Sequence, residues 1–321
     1  MSGLGGARWR PTRTSLGFRI ATWTFWYWRF DALADERHFT ELEDDTALEA
    51  LPGEPGGVRH ILPSYPVSVA PPRLRRIGPW LVYTPKTFPN YFVDLRLDGG
   101  FDAYLLTFSS KTRSTLRRKV RRFAEASPGG ELDVRAYRTP AEVETFLGIA
   151  AGLSSRTYQA RLFDVGLPES EAFRREAIGL AQSDRIRAFL LYLGEKPAAY
   201  VFCTCRDGVV SYDYVGHDPD LNSLSPGTVL QYKLLEHLFE DPSLRIFDFT
   251  EGEGEHKALF ATGHRTCAKS IAFPNRPVVR LLLGLHACVE RADALLDRTL
   301  EKLSVKQRLR RFMRRGGATA N

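Results

Sequence analysis

Two aspartates, Asp213 and Asp248, sit among aromatic residues: Tyr212 and Tyr214 flank the first, Phe247 and Phe249 the second. A carboxylate held among rings on a strand has two chemical uses, accepting a proton from a reacting group or holding a cation. The structural alternative is an ion pair with an arginine such as Arg245 or Arg265. Glu251, His256 and Lys257 follow the second aspartate, with Gly252 and Gly254 making a turn between them. His256 has the intrinsic pKa of a general base near neutrality, and Lys257 suits contact with a phosphate or carbonyl oxygen. Upstream, Ser225-Pro226-Gly227-Thr228 opens a helical pattern. Proline sacrifices no hydrogen bond at the first helical position, and glycine lets a ligand approach the backbone. The N–H groups and the positive helix end would then face an anion, with Ser225, Gly227 and Thr228 as its contacts. An ordinary capped helix would use the same four residues.

A second cationic element precedes these. In residues 109–123, Leu116, Val120 and Phe123 fall at helical spacing, and most of the other positions carry positive charge. Arg117 and Arg118 are candidate phosphate contacts, with Arg121 and Arg122 beside them; the alternative is a solvated connector helix. Tyr158, Gln159 and Arg161 end another helical pattern before a loop with glycine, and are candidate acceptor contacts or a polar helix end in water. His217, Asp218 and Asp220 lack the spacing of a metal set, so no metal is expected. No Gly-x-Ser-x-Gly nucleophile elbow is present.

The elements that must carry these residues are legible from Glu131 onward. Leu132–Tyr137 reads as a strand. Thr139, Pro140 and Glu142 start a helix with the spacing of a capping box. A second helix spans Ser170–Gln182. Strands over Ile186–Leu193, Ala198–Cys205 and Val209–Val215 follow, the last two joined by an Asp-Gly turn. The helix opened at Ser225 stops at Asp241-Pro242. A strand (Leu244–Phe249), a short helix (Gly254–Thr262) and a last strand (Ala268–Phe273) complete the order β-α-α-β-β-β-α-β-α-β.

The rest of the chain is organised around this segment. Residues 1–17 read as a flexible terminus and 18–108 as an α/β region with strands between proline-rich turns. Residues 109–130 form the basic connector helix, 131–275 the main domain and 276–321 a helical, basic extension. That extension reads as a helical pair ending in Arg308, Arg310, Arg311, Arg314 and Arg315; it would dock on the protein's own core or rest on an anionic membrane. The run Trp23–Trp28 reads as core or interface aromatic mass. With 321 residues, 43% hydrophobic and 26% charged, the chain can bury a core. Its net charge of +7 permits anionic ligands without naming one. Cys203, Cys205, Cys267 and Cys288 form no CxxC pair and read as buried thiols of a cytoplasmic protein.

The element order resembles that of GNAT acyltransferases. Three motifs are similar to the BioF2-like and CelD-like branch, which is related to the FemAB aminoacyltransferases. They are the basic Leu116–Arg122 segment, the Ser225–Thr228 helix start, and Phe247-Asp248-Phe249-Thr250-Glu251-Gly252 followed by His256-Lys257 and Phe260–Gly263. The resemblance implies a GNAT-type mixed sheet flanked by helices, in FemAB-like proteins a tandem pair, which would make Phe18–Phe108 a reduced N-terminal copy. It implies acyl-CoA, above all acetyl-CoA, as co-substrate, and transfer to an amino or hydroxyl group of a sugar, an envelope-polysaccharide precursor or a small metabolite. The sequence departs from the family at two points. The usual Gln/Arg-x-x-Gly-x-Gly/Ala loop is missing, which leaves an acyl-carrier protein or aminoacyl-tRNA open as donor. His256 also stands where related sequences commonly have tyrosine. The alternatives are FemAB-like transfer from tRNA and a catalytically silent GNAT-fold module docked to an envelope or membrane assembly. The expected location is the cytoplasm, including the inner face of the membrane.

Overall fold

The computed structural model describes residues 8–20, 23–160 and 166–302. They divide into two compact units, one of the described residues up to 88 with those from 265 onward, the other of the described residues between 89 and 264. Elements are numbered in chain order.

The first unit begins with β1 (Trp9–Ile20) and β2 (Trp23–Asp35), an antiparallel pair. β3 (Arg59–Pro66) lies parallel to β2, and β4 (Leu74–Ile77) antiparallel to the start of β5 (Trp80–Asp94). The terminus expected to be loose is therefore a strand from Trp9, because its backbone groups find partners along β2. Residues 8–88 hold no α-helix among the described residues; the helical part of the α/β stretch expected over 18–108 lies at its end, at Gly100–Leu106. The aromatic run divides: Trp28 stacks on Phe273 at 5.1 Å, while Phe25, Trp26 and Tyr27 are exposed. The unit closes with β11 (Gly263–Pro274), antiparallel to β3, and α7 (Pro277–Lys302). Over the described residues α7 is one helix, not a helical pair, and the arginines from Arg308 onward lie outside them. Cys288, expected to be buried, is exposed there, whereas Cys203, Cys205 and Cys267 are buried and free.

The second unit holds the end of β5, then α1 (Gly100–Leu106), α2 (Ser110–Ala126), β6 (Asp133–Tyr137), α3 (Pro140–Ala160) and α4 (Glu171–Gln182). There follow β7 (Ile186–Leu193), β8 (Lys196–Arg206), β9 (Val209–His217), α5 (Pro226–Phe239), β10 (Ile246–Glu251) and α6 (Glu255–Phe260). The strand order is β5-β10-β9-β8-β7-β6. Every pair is antiparallel except β9 with β10. The capping box forms at α3: Thr139 N–H donates to Glu142 Oε2 at 2.8 Å and Glu142 N–H to Thr139 Oγ1 at 3.4 Å. One core packs α1, α2 and α5 on one face of the sheet; a second packs α3 and α4 on the other. The segment expected to be a connector is an anchored helix. α2 buries Leu116 and Phe123 in the first core, at roughly 1.5–3 kcal/mol per side chain.

Candidate functional site

The parallel pairing of β9 and β10 covers only Val209–Ser211 opposite Ile246–Asp248, after which the strands part. Both carry an irregularity at this point. The β8–β9 register slips between Phe202 and Cys203, whose partners are Tyr214 and Tyr212, so Asp213 is the extra residue of a β-bulge. The bulge turns its neighbours apart. Tyr212 packs on Phe247 and Phe249 under α5, whereas Tyr214 packs on Phe173 and Phe202 beneath α4. The Asp213 carboxylate accepts from Thr204 N–H at 2.8 Å and from Thr204 Oγ1 at 2.7 Å. Protein crowds it even though the side chain reaches solvent. That desolvation raises its pKa to about 6 against the pull of Thr204, and the charge of Asp248 pushes the same way.

On β10, Phe247 and Phe249 are fully buried in the α5-side core, so strand alternation turns Asp248 to the opposite face. Its Oδ1 accepts from Thr250 N–H at 2.8 Å, and Thr250 has φ of 59°. A left-handed β-branched residue is strained, and strain of this kind gathers at functional sites. Here the β5–β10 register also slips, between Asp248 and Glu251. Lys257 Nζ donates to the carbonyl oxygens of Glu251 at 2.9 Å and Thr250 at 3.4 Å, which clamps the strained turn. Burial lowers its pKa, opposed by Asp248 and Glu251. Lys257 and Glu251 thus serve the turn through backbone carbonyls.

On the α5 side of the parting lies a cavity of about 220 Å³. β9 lines it with Tyr212, Val215, Gly216 and His217; α5 with Gly227, Thr228, Leu230, Gln231 and Leu234; β8 with Tyr200 and Val201; α6 with His256 and Phe260. A Cβ at Gly216 would stand 2.3 Å from the ring of Tyr200, its partner on β8, so the packing there requires glycine. Of the expected catalytic residues only His256 lines this cavity. Gly227 and Thr228 line it too, while Ser225 does not. Ser225 adopts a left-handed conformation (φ 54°, ψ 49°) and its hydroxyl makes no capping bond. Its carbonyl instead accepts from the N–H groups of Thr228 and Val229, at 3.0 and 3.1 Å. A Cβ at Gly227 would meet His217 Nδ1 at an ordinary 3.6 Å, so the protein itself does not demand glycine there.

The loop before α5 is tied down by Asp218, fully buried, which bonds Lys196 at 2.7 Å, Arg156 at 3.2 Å and Asp220 N–H at 3.1 Å. α2 contributes Lys119, whose Nζ donates to Thr228 Oγ1 at 3.3 Å and sets an ammonium at the first turn of α5. Arg117 and Arg118 lie elsewhere. With Ser110, Arg113, Ser114 and Arg121 they line an open groove of about 650 Å³ on α2. Tyr158 and Gln159 fall in the last turn of α3, where side chains are not described, and Arg161 lies outside the described residues. Among the described residues no group of three or more His, Cys, Asp or Glu side chains could hold a metal.

Sequence reasoning passed over Lys119 and Gln231. Lys119 is one cation among many, and spacing alone does not say which of them faces a partner. Gln231 left a fainter signal, an amide inside the apolar stripe Val229, Leu230, Leu234, Leu235.

A mixed sheet whose two central parallel strands part beside a helix N-terminus defines an acyltransferase fold of the GNAT type. Residues 110–258 match the family model described as acetyltransferase (GNAT) domain. Over that segment the chain carries a GNAT-type acyltransferase domain. Solved structures similar to it include the C-terminal domain of an Agrobacterium fabrum protein assigned as a lysylphosphatidylglycerol synthetase. That domain is 16% identical, with 76% of this chain and 73% of that one covered and a TM-score of 0.46. L-PGS from Bacillus licheniformis is 16% identical, with 66% of each chain covered and a TM-score of 0.43. FemX is 13% identical, with 61% of this chain and 64% of that one covered and a TM-score of 0.44. The chain thus spans about two thirds of the length of L-PGS and FemX. No curated protein matches the chain.

Proposed function

We propose that this chain transfers an acyl group from acyl-CoA, acetyl-CoA above all, or from an acyl-carrier protein. The acceptor is an amino or hydroxyl group of a sugar, an envelope-polysaccharide precursor or a small metabolite. The observation that carries the reading is the parting of β9 and β10 beside a cavity that ends at the N-terminus of α5. Lys119, Thr228 and the first turn of α5 suit the donor's anionic end. The cavity is smaller than the roughly 300–1,000 Å³ of common ligand pockets, which favours a short acyl group. Asp213 and Asp248 suit a cationic acceptor amine on the opposite face. In the reaction the acceptor nitrogen or oxygen bonds to the acyl carbon, the carbon–sulfur bond breaks, and the donor leaves as a thiolate. His256 is the candidate to take the acceptor's proton. A cytoplasmic location belongs to this reading; among the described residues, no helix is long and apolar enough to cross a membrane.

The arginine groove on α2 favours a second reading, aminoacyl transfer from tRNA, whose phosphates Arg113, Arg117, Arg118 and Arg121 would meet. A thiol-release assay with acetyl-CoA and a panel of amines and amino sugars separates the two. Acceptor-dependent release of coenzyme A is expected. No release from acetyl-CoA, together with salt-sensitive retention on aminoacyl-tRNA that Arg117→Ala and Arg118→Ala abolish, would replace the first reading by the second.

A further inference from the structure

Gln231 is 3% exposed, and neither its Nε2 nor its Oε1 has a hydrogen-bond partner among the described residues. It lies one turn into α5 from Gly227 and Thr228, on the cavity wall, where Val201, Leu230, Leu234 and Phe260 are apolar neighbours. An unsatisfied buried amide destabilises a fold by roughly 1–3 kcal/mol, and a leucine would continue the stripe of α5 without that loss. The side chain therefore works against the free protein unless something entering the cavity answers both atoms. A phosphate or a plain acyl chain offers acceptors only and would leave Oε1 unmatched. A secondary amide matches both atoms, since its carbonyl accepts from Nε2–H and its N–H donates to Oε1.

We infer that Gln231 is the residue that recognises an amide in the thiol-bearing arm of the donor, holding the arm while its anionic end lies at Lys119 and Thr228. The inference rests on the acyl-CoA reading above and sharpens it, because it assigns recognition to the amide-bearing arm as well as to the phosphates.

Calorimetric titrations with coenzyme A, pantetheine (the amide-bearing arm alone) and adenosine 3′,5′-bisphosphate (the phosphates alone) test it. Gln231→Leu, and Gln231→Met as a variant of similar volume, should bind coenzyme A and pantetheine about tenfold more weakly and the bisphosphate unchanged. Ten-fold corresponds to about 1.4 kcal/mol. Without ligand, both variants should melt at or above the wild-type temperature, since two buried unsatisfied atoms are gone. Wild-type affinity for pantetheine in either folded variant would overturn the role of Gln231 and leave the donor reading standing. Failure of the wild type to bind coenzyme A at all would overturn both.

Discussion

The two faces of the sheet at the parting of β9 and β10 differ in chemistry. The α5 face has a recess of aromatic and apolar groups with His217, His256 and Gln231 in its wall and Lys119 at its end. The opposite face has two carboxylates, one on a bulge and one beside a strained turn. Regular alternation along β10 turns Asp248 away from Phe247 and Phe249, and the bulge at Asp213 breaks the alternation that would otherwise keep Tyr212 and Tyr214 on one face. The separation suits a reaction between an anionic donor and a cationic acceptor that meet edge to edge.

Of the substitutions that separate the two faces, Gly216→Ala should have the largest effect. It drives a methyl group into the Tyr200 ring and should displace Tyr200 from the wall of the recess, lowering acyl transfer by more than about a hundredfold in a steady-state assay. His256→Asn removes the candidate base and should reduce kcat by about a hundredfold with donor affinity kept. Lys119→Met acts on the donor side alone: acetyl-CoA affinity should fall about tenfold while the acceptor KM holds.

Asp213→Asn acts on the acceptor side and should raise the acceptor KM several-fold. In the wild type, activity should rise with pH through a midpoint near 6 as Asp213 ionises, and the variant should lack that acidic limb. The stability sign is opposite. A carboxyl whose folded pKa is raised from 3.8 to about 6 favours the fold when protonated, so this contribution is complete below pH 4 and lost as pH rises through 6. Melting curves should therefore show Asp213→Asn gaining on the wild type between pH 4 and 6 and holding that gain above.

Most of the second unit was legible in the sequence because its signals are local. The Thr139–Glu142 box, the Asp207-Gly208 turn and the short, β-rich apolar runs of β7 to β9 each fix a neighbour a few residues away. The first unit was less so: strands rich in proline and arginine lack clean alternation, and Trp9–Ile20 is a strand only because β2 lies beside it. In the site, residue types were legible and roles were not. Lys257 reads in the sequence as a ligand contact, and its bonds to the carbonyls of Thr250 and Glu251 arise only once the turn between β10 and α6 folds back on it. The bulge at Asp213 depends on a register slip against β8 that no spacing within β9 reveals.

A donor seated on the α5 face is what the proposed reaction requires. Calorimetric titration of acetyl-CoA into wild-type protein and Gly216→Ala tests it directly. The prediction is one-to-one binding by the wild type and none detectable in the folded variant; binding of equal strength in both would put the donor elsewhere and contradict the assignment.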